Sequence, residues 1–64
     1  MKTALLSIIK NAYVGDYPHE ATFTITNLDD GSTAPLGMFK RIAVKSESDA
    51  RNWAAENDIR IINK

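Results

Sequence analysis

The chain contains no cysteine and a single histidine, His19. Without thiols there is no disulfide to brace a small fold, no thiolate metal site and no cysteine nucleophile. One histidine supplies no pair at helical spacing, the usual start of a metal site. His19, between Pro18 and Glu20, reads as a solvated loop residue. The three glycines, Gly15, Gly31 and Gly37, are scattered and form no phosphate cradle. "LDDGS" lacks the alternating ligands and distal glutamate of a calcium loop, so Asp29 and Asp30 read as turn formers. Nothing positions a Ser-His-Asp set, and a chain this short has little room for a water-excluding pocket. The expectation is a protein with no catalytic residue, no metal and no cofactor.

Charge of one sign is also missing. Eight basic residues balance eight acidic ones, which argues against nonspecific binding to nucleic acid. No apolar run approaches the ~20 residues of a membrane span. The longest candidate, Ala4 to Ile9, is broken by Ser7 and followed at once by Lys10. That is short for a signal-peptide core, and the segment is expected to belong to the fold. Lack of cysteine fits a reducing interior, so the expected location is cytoplasmic.

What is present suits one small domain, residues 1–64. Apolar residues make up 44% and charged residues 25%, ordinary values for a globular chain. A domain of this size buries only about 60% of its unfolded surface, so its core must be used efficiently.

Residues 46 to 57 read as a helix. Ser46 is a good N-cap, and Asp49, three residues on, is placed to reach back as in a capping box. Glu47 and Asp49 put negative charge at the positive end of the helix dipole. Ala50, Trp53, Ala54 and Asn57 share one face. Trp53 is the only large apolar group on that stripe and is expected to be core rather than displayed.

"ATFTITNL", residues 21 to 28, alternates strictly and is the clearest strand, with Ala21, Phe23 and Ile25 on one face and Thr22, Thr24 and Thr26 on the other. Asp30-Gly31 signals a hairpin turn, and Pro35 and Gly37 mark an irregular stretch after it. "MFKRIAVKS", 38 to 46, is a further strand, with Met38, Lys40, Ile42 and Val44 inward and Phe39, Arg41, Ala43 and Lys45 outward. "IRIIN", 59 to 63, is a short last strand with Ile59 and Ile61 on one face. The N-terminal segment fits a helix stripe (Leu5, Ile8, Ile9, Ala12, Tyr13) or a strand face (Ala4, Leu6, Ile8, Ala12). The strand is preferred because it gives the last strand a neighbour and the helix enough sheet to cover. The expected fold is α+β, in the order β-β-β-α-β: a small, mainly antiparallel sheet with one helix on one face.

One helix covers one face of a sheet. The other face should carry Thr22, Thr24, Thr26, Phe39, Arg41 and Arg60, and these are the candidate partner-binding residues, since aromatic and arginine anchors often carry interfaces. Tyr13, Tyr17 and Pro18 form a second candidate surface in the 13 to 20 loop. Lys40, Arg41, Lys45, Arg60 and Lys64 lie on or beside the last two strands and suggest a basic strip, which makes a DNA- or RNA-binding module the alternative reading. The oligomeric state is open, a homodimer included.

The short cysteine-free chain, the "ATFTITNLDDGS" hairpin and "AVKSESDARNWAAENDIRII" as strand, capped helix and strand resemble, in layout, the small inhibitors carried by bacteriophages and mobile elements, anti-CRISPR proteins among them. The resemblance implies a protein that works by stoichiometric binding to a larger host complex. Several such inhibitors are strongly acidic mimics of nucleic acid; this chain is neutral and departs from them.

Overall fold

The computed structural model describes residues 1–13 and 15–63. The N-terminal segment resolves as a strand, β1 (Lys2–Ile9), followed by β2 (His19–Asn27), β3 (Phe39–Val44), helix α1 (Glu47–Glu56) and β4 (Ile59–Ile61). The sheet order is β3-β2-β1-β4. β1 pairs antiparallel with β2 and parallel with β4, and β2 pairs antiparallel with β3. This is an α+β domain with a mostly antiparallel sheet and one helix.

β1 is a strand because only that conformation lets one segment serve two neighbours. Ala4, Leu6 and Ile8 stand opposite Ile25, Phe23 and Ala21 of β2, and Ala4 also stands opposite Ile61 of β4. Ala12 falls outside the strand and is exposed. β2 begins two residues earlier than the alternation suggests, so His19 is a half-buried strand residue rather than a solvated loop residue. Its Nδ1 accepts the Asn11 N–H at 3.2 Å, which ties down the start of the β1–β2 connection.

The β2–β3 connection is a double turn. Gly31 N–H donates to the Leu28 carbonyl at 2.9 Å, and Ala34 N–H returns to the Thr26 carbonyl at 3.0 Å. Ala34 is thereby drawn into the core. A second turn, closed by Met38 N–H to the Pro35 carbonyl at 3.3 Å, holds Gly37 at φ +84, as a type II turn requires at its third position. Met38 therefore lies in the turn, and β3 starts at Phe39.

Ser46 is the N-cap, and its Oγ accepts the Asp49 N–H at 3.3 Å. Asp49 reaches back one residue further than in a capping box: its Oδ2 accepts the N–H of Lys45 at 3.1 Å. At the other end Asn57 Nδ2 donates to the Trp53 carbonyl at 2.8 Å. Asp58 follows at φ +56, a left-handed C′ residue that turns the chain into β4.

α1 carries the chain from the β3 edge to the β4 edge across one face. Ala50 and Ala54 are wholly buried, so the helix backbone lies close to the sheet. Phe23 is the largest fully buried side chain. Trp53 is half-buried and stacks on Phe23, with ring centroids 5.1 Å apart, a spacing typical of favourable aromatic pairs. The remaining core is Ala4, Leu6, Ala21, Ile25, Ala34 and Val44, with Ile8, Ile42, Ile59 and Ile61 packed at its margin.

Candidate functional site

The backbone register decides which side chains share the uncovered face. Phe39 stands opposite Thr24, and Thr24 opposite Leu5. Arg41 stands opposite Thr22, and Thr22 opposite Ser7. Arg60 stands opposite Thr3. A bulge between Thr3 and Ala4 leaves Thr26 as the extra residue on β2, and its hydroxyl lies 2.6 Å from that of Thr3. All six residues expected to meet a partner therefore lie on one face. Their roles differ. Thr24, Phe39, Arg41 and Arg60 are exposed, whereas Thr22 and Thr26 are half-buried. Thr26 is committed to an internal cluster, because the Thr3 hydroxyl also donates to Asn27 Oδ1 at 3.1 Å.

Phe39 and Arg41 act as one unit. The Arg41 Cζ sits 4.8 Å from the Phe39 ring centroid, a cation–π contact between two exposed side chains.

The face is more apolar than threonine alternation implies. Leu5, Ile9 and Ile62 are also exposed; Thr24 separates Leu5 from Phe39, and Ile9 stands opposite Glu20 at the far end of the strand pair. Ile62, one residue past β4, donates its N–H to the Ala4 carbonyl at 3.0 Å and so extends the sheet beside β1. Ile62, Leu5, Thr24 and Phe39 thus form a row across all four strands. Leu36, at the apex of the second turn, is fully exposed. A cleft of about 300 Å³ joins it to Thr24 and Thr26. Sequence reasoning missed these four residues. The signal for Leu5 and Ile9 was visible: "ALLSII" fills both phases of the strand alternation, so one phase must face outward. Leu36 had no such signal, because its exposure follows from the turn.

A larger cleft, about 350 Å³, lies on the helix side between Lys2, Met38, Lys40 and Trp53. It is an open notch where α1 stops short of Ile25, and its volume is near the floor for small-molecule sites. Lys2 lies 3.8 Å from Asp29. The uncovered face is the candidate site, because it carries exposed apolar groups and the Phe39–Arg41 pair.

The expected basic strip is not formed. β3 and β4 are the two outer strands of the sheet, so Arg41 and Arg60 are three strand spacings, about 14 Å, apart across the sheet, and the four residues from Thr3 to Ser7 offset them by about 13 Å more along it. Lys40, opposite Phe23, belongs to the helix side. Lys64 lies outside the described residues. The second surface also divides. Tyr13 and Tyr17 are exposed, but Tyr17 borders a helix-side groove with Ile42, Val44, Asn52 and Trp53.

Among the described residues no helix is long and apolar enough to cross a membrane. No cluster of three metal-ligating side chains occurs among them either. No family model, no curated protein and no solved structure matches the chain.

Proposed function

We propose that this protein is a small non-catalytic module that binds another protein through the uncovered sheet face, as an inhibitor or regulator of a larger complex. The carrying observation is the row Ile62–Leu5–Thr24–Phe39 with Arg41 stacked on Phe39. Exposed apolar side chains gathered on one rigid surface and flanked by polar residues are the pattern of an interaction site. An aromatic–arginine pair is the type of anchor that dominates such interfaces. The layout resemblance to phage inhibitors points to the same class of activity.

The nucleic-acid reading is weaker. A phosphate-tracking surface needs clustered cations, and this face has Arg41 and Arg60 on opposite edge strands.

The test uses immobilised protein, host-cell lysate and mass spectrometry, with wild type and the Phe39→Ala/Arg41→Ala variant side by side. The variant should keep the wild-type circular dichroism spectrum and urea midpoint, because neither side chain is in the core. It should lose the wild-type partner by more than about tenfold, or about 1.4 kcal/mol. Identical capture by both proteins would move the site elsewhere. Capture that collapses between about 50 and 200 mM salt would favour nucleic acid.

A further inference from the structure

Thr24 and Leu5 meet across the centre of the sheet, but Phe39 and Arg41 lie on its edge, and the edge carries bonding capacity of its own. Leu6 exchanges hydrogen bonds with the Asn63 side chain, at 2.7 and 2.9 Å, so the backbone of Leu6 points towards β4 and that of Leu5 towards β2. Strand alternation then fixes the rest of the ladder. Phe23 and Ile25 point towards β3, in keeping with the Ile25 N–H to Met38 carbonyl bond of 2.9 Å. On β3, Lys40, Ile42 and Val44 bond inward to β2. Phe39, Arg41 and Ala43 turn their N–H and C=O groups outward, and no partner meets them among the described residues. The opposite edge is β4, which spans only three residues, Ile59–Ile61, against the six of β3, and so offers a shorter row of outward groups.

We infer that the β3 edge takes an extended acidic segment of a partner protein as a fifth strand, with a carboxylate facing Arg41 and, two residues away, an apolar side chain facing Phe39. The inference rests on the protein-binding reading and names the chemistry of the partner.

Charge selects this occupant. Residues 38 to 45 contain Lys40, Arg41 and Lys45 and no acid. None of the three has an ion-pair partner among the described residues. A second copy is disfavoured, because β3 paired with itself brings two such cationic sets together. Like charges across a strand pair are destabilising. Lysines on an edge strand also discourage nonspecific pairing, and the same charges admit an acidic strand. On the helix side the incoming strand would meet Asp49, Asn52 and Glu56 beside Ile42 and Val44, so its acids belong on the open-face side only.

Area points the same way. The four strands hold 8, 9, 6 and 3 residues, which at about 3.3 Å per residue and about 4.8 Å per strand give the open face a footprint of about 400 Å². A standard interface buries roughly 800 Å² per partner. A fifth strand at β3 extends the contact continuously from Phe39 and Arg41 and makes up the shortfall with backbone hydrogen bonds.

The experiment uses three synthetic nine-residue peptides of alternating valine and threonine. One has a central aspartate, one a central lysine, and one the aspartate with N-methyl groups on alternate residues. Each is titrated into the full chain to on the order of 1 mM, with amide hydrogen exchange and chemical shifts read by NMR. The aspartate peptide should slow exchange at the Phe39, Arg41 and Ala43 amides. The lysine peptide should bind at least about tenfold more weakly, and the N-methylated one should not protect these amides.

Absence of protection, equal binding of the aspartate and lysine peptides, or a dimer in sedimentation of the chain alone with these amides already protected would overturn the inference. A Leu5→Ser/Ile62→Ser variant separates it from the open-face reading, since both changes lie away from β3. If that variant loses the captured partner while no peptide protects β3, the edge inference fails and the face reading stands. If the peptides protect β3 and the variant captures its partner normally, the edge stands and the face reading fails.

Discussion

Leu5 and Leu6 are adjacent residues of the same type in the same strand, yet Leu6 is 8% exposed and Leu5 43%. Leu6 stands opposite Phe23 under the helix; Leu5 stands opposite Thr24 on the bare face. Nothing in the side chains differs. The difference is which side of the pleat each occupies and that α1 covers only one side. The covered face is built for close approach, with Ala4, Ala21, Ala50 and Ala54 all at zero exposure and a single aromatic pair filling the space between. The uncovered face carries large apolar groups, Leu5, Ile9, Phe39 and Ile62, that no element among the described residues buries. Their position outside is the basis on which we propose this face as a contact surface.

The strongest way to break the contrast is to empty the covered face. Phe23→Ala should cost about 3–5 kcal/mol, a large share of the stability of a domain this small. Trp53→Ala should cost less, about 2–3 kcal/mol, because the ring is half-buried and part of its surface is already wet. Urea denaturation followed by circular dichroism measures both. An order reversed between them would show that the helix, not the sheet, centres the core.

Next comes the matched pair. Leu6→Ala should destabilise by about 2–4 kcal/mol and Leu5→Ala by less than about 1 kcal/mol. Equal losses in urea midpoint would mean that the two faces are equally buried and that the contact surface has been misplaced.

A smaller effect sharpens the role of the helix that makes the faces unequal. Ser46→Ala removes the cap that accepts the Asp49 N–H and should cost about 1 kcal/mol. A change below a few tenths would show that the Asp49 bond to the Lys45 N–H anchors the helix start by itself.

The smallest effect lies in the first turn after β2. Hydrogen bonds from the Ser32 hydroxyl, and then from its backbone N–H, hold the Asp30 carboxyl below its usual pKa. Its contribution is fully present above the unfolded value near 4 and is lost as pH falls through the lower folded value. Asp30→Asn should therefore flatten the acid limb of the stability profile slightly and leave neutral pH almost unchanged. Urea midpoints for both proteins at pH 6 and pH 3 decide this; parallel profiles would assign the acid sensitivity to other carboxylates.

Much of this was legible in the chain. Strict alternation in "ATFTITNL" placed Phe23 inward and Thr24 outward because strand side chains have a period of two. Ser46 and Asp49 marked the helix start because orphan amides need acceptors there. Ala50, Trp53 and Ala54 marked the buried stripe. Strand ends were less legible: β2 starts at His19 and β3 at Phe39, since hydrogen bonds to partner strands, not local propensity, set where pairing begins. "ALLSII" suited helix and strand alike, and only its two neighbours in the sheet decided between them.

Strand order lay beyond any local pattern. The sequence by itself determined every element but β1, the face each side chain takes within its strand, and the single helix that must leave one face bare. Only the tertiary structure decided that β4 crosses to pair with β1. That separates Arg60 from Arg41, dissolves the basic strip and leaves β3 as an open edge. The physical reason is that periodicity is a property of neighbours along the chain. Pairing across a helix crossover depends on which arrangement buries the most apolar surface at once, and no short stretch of residues contains that information.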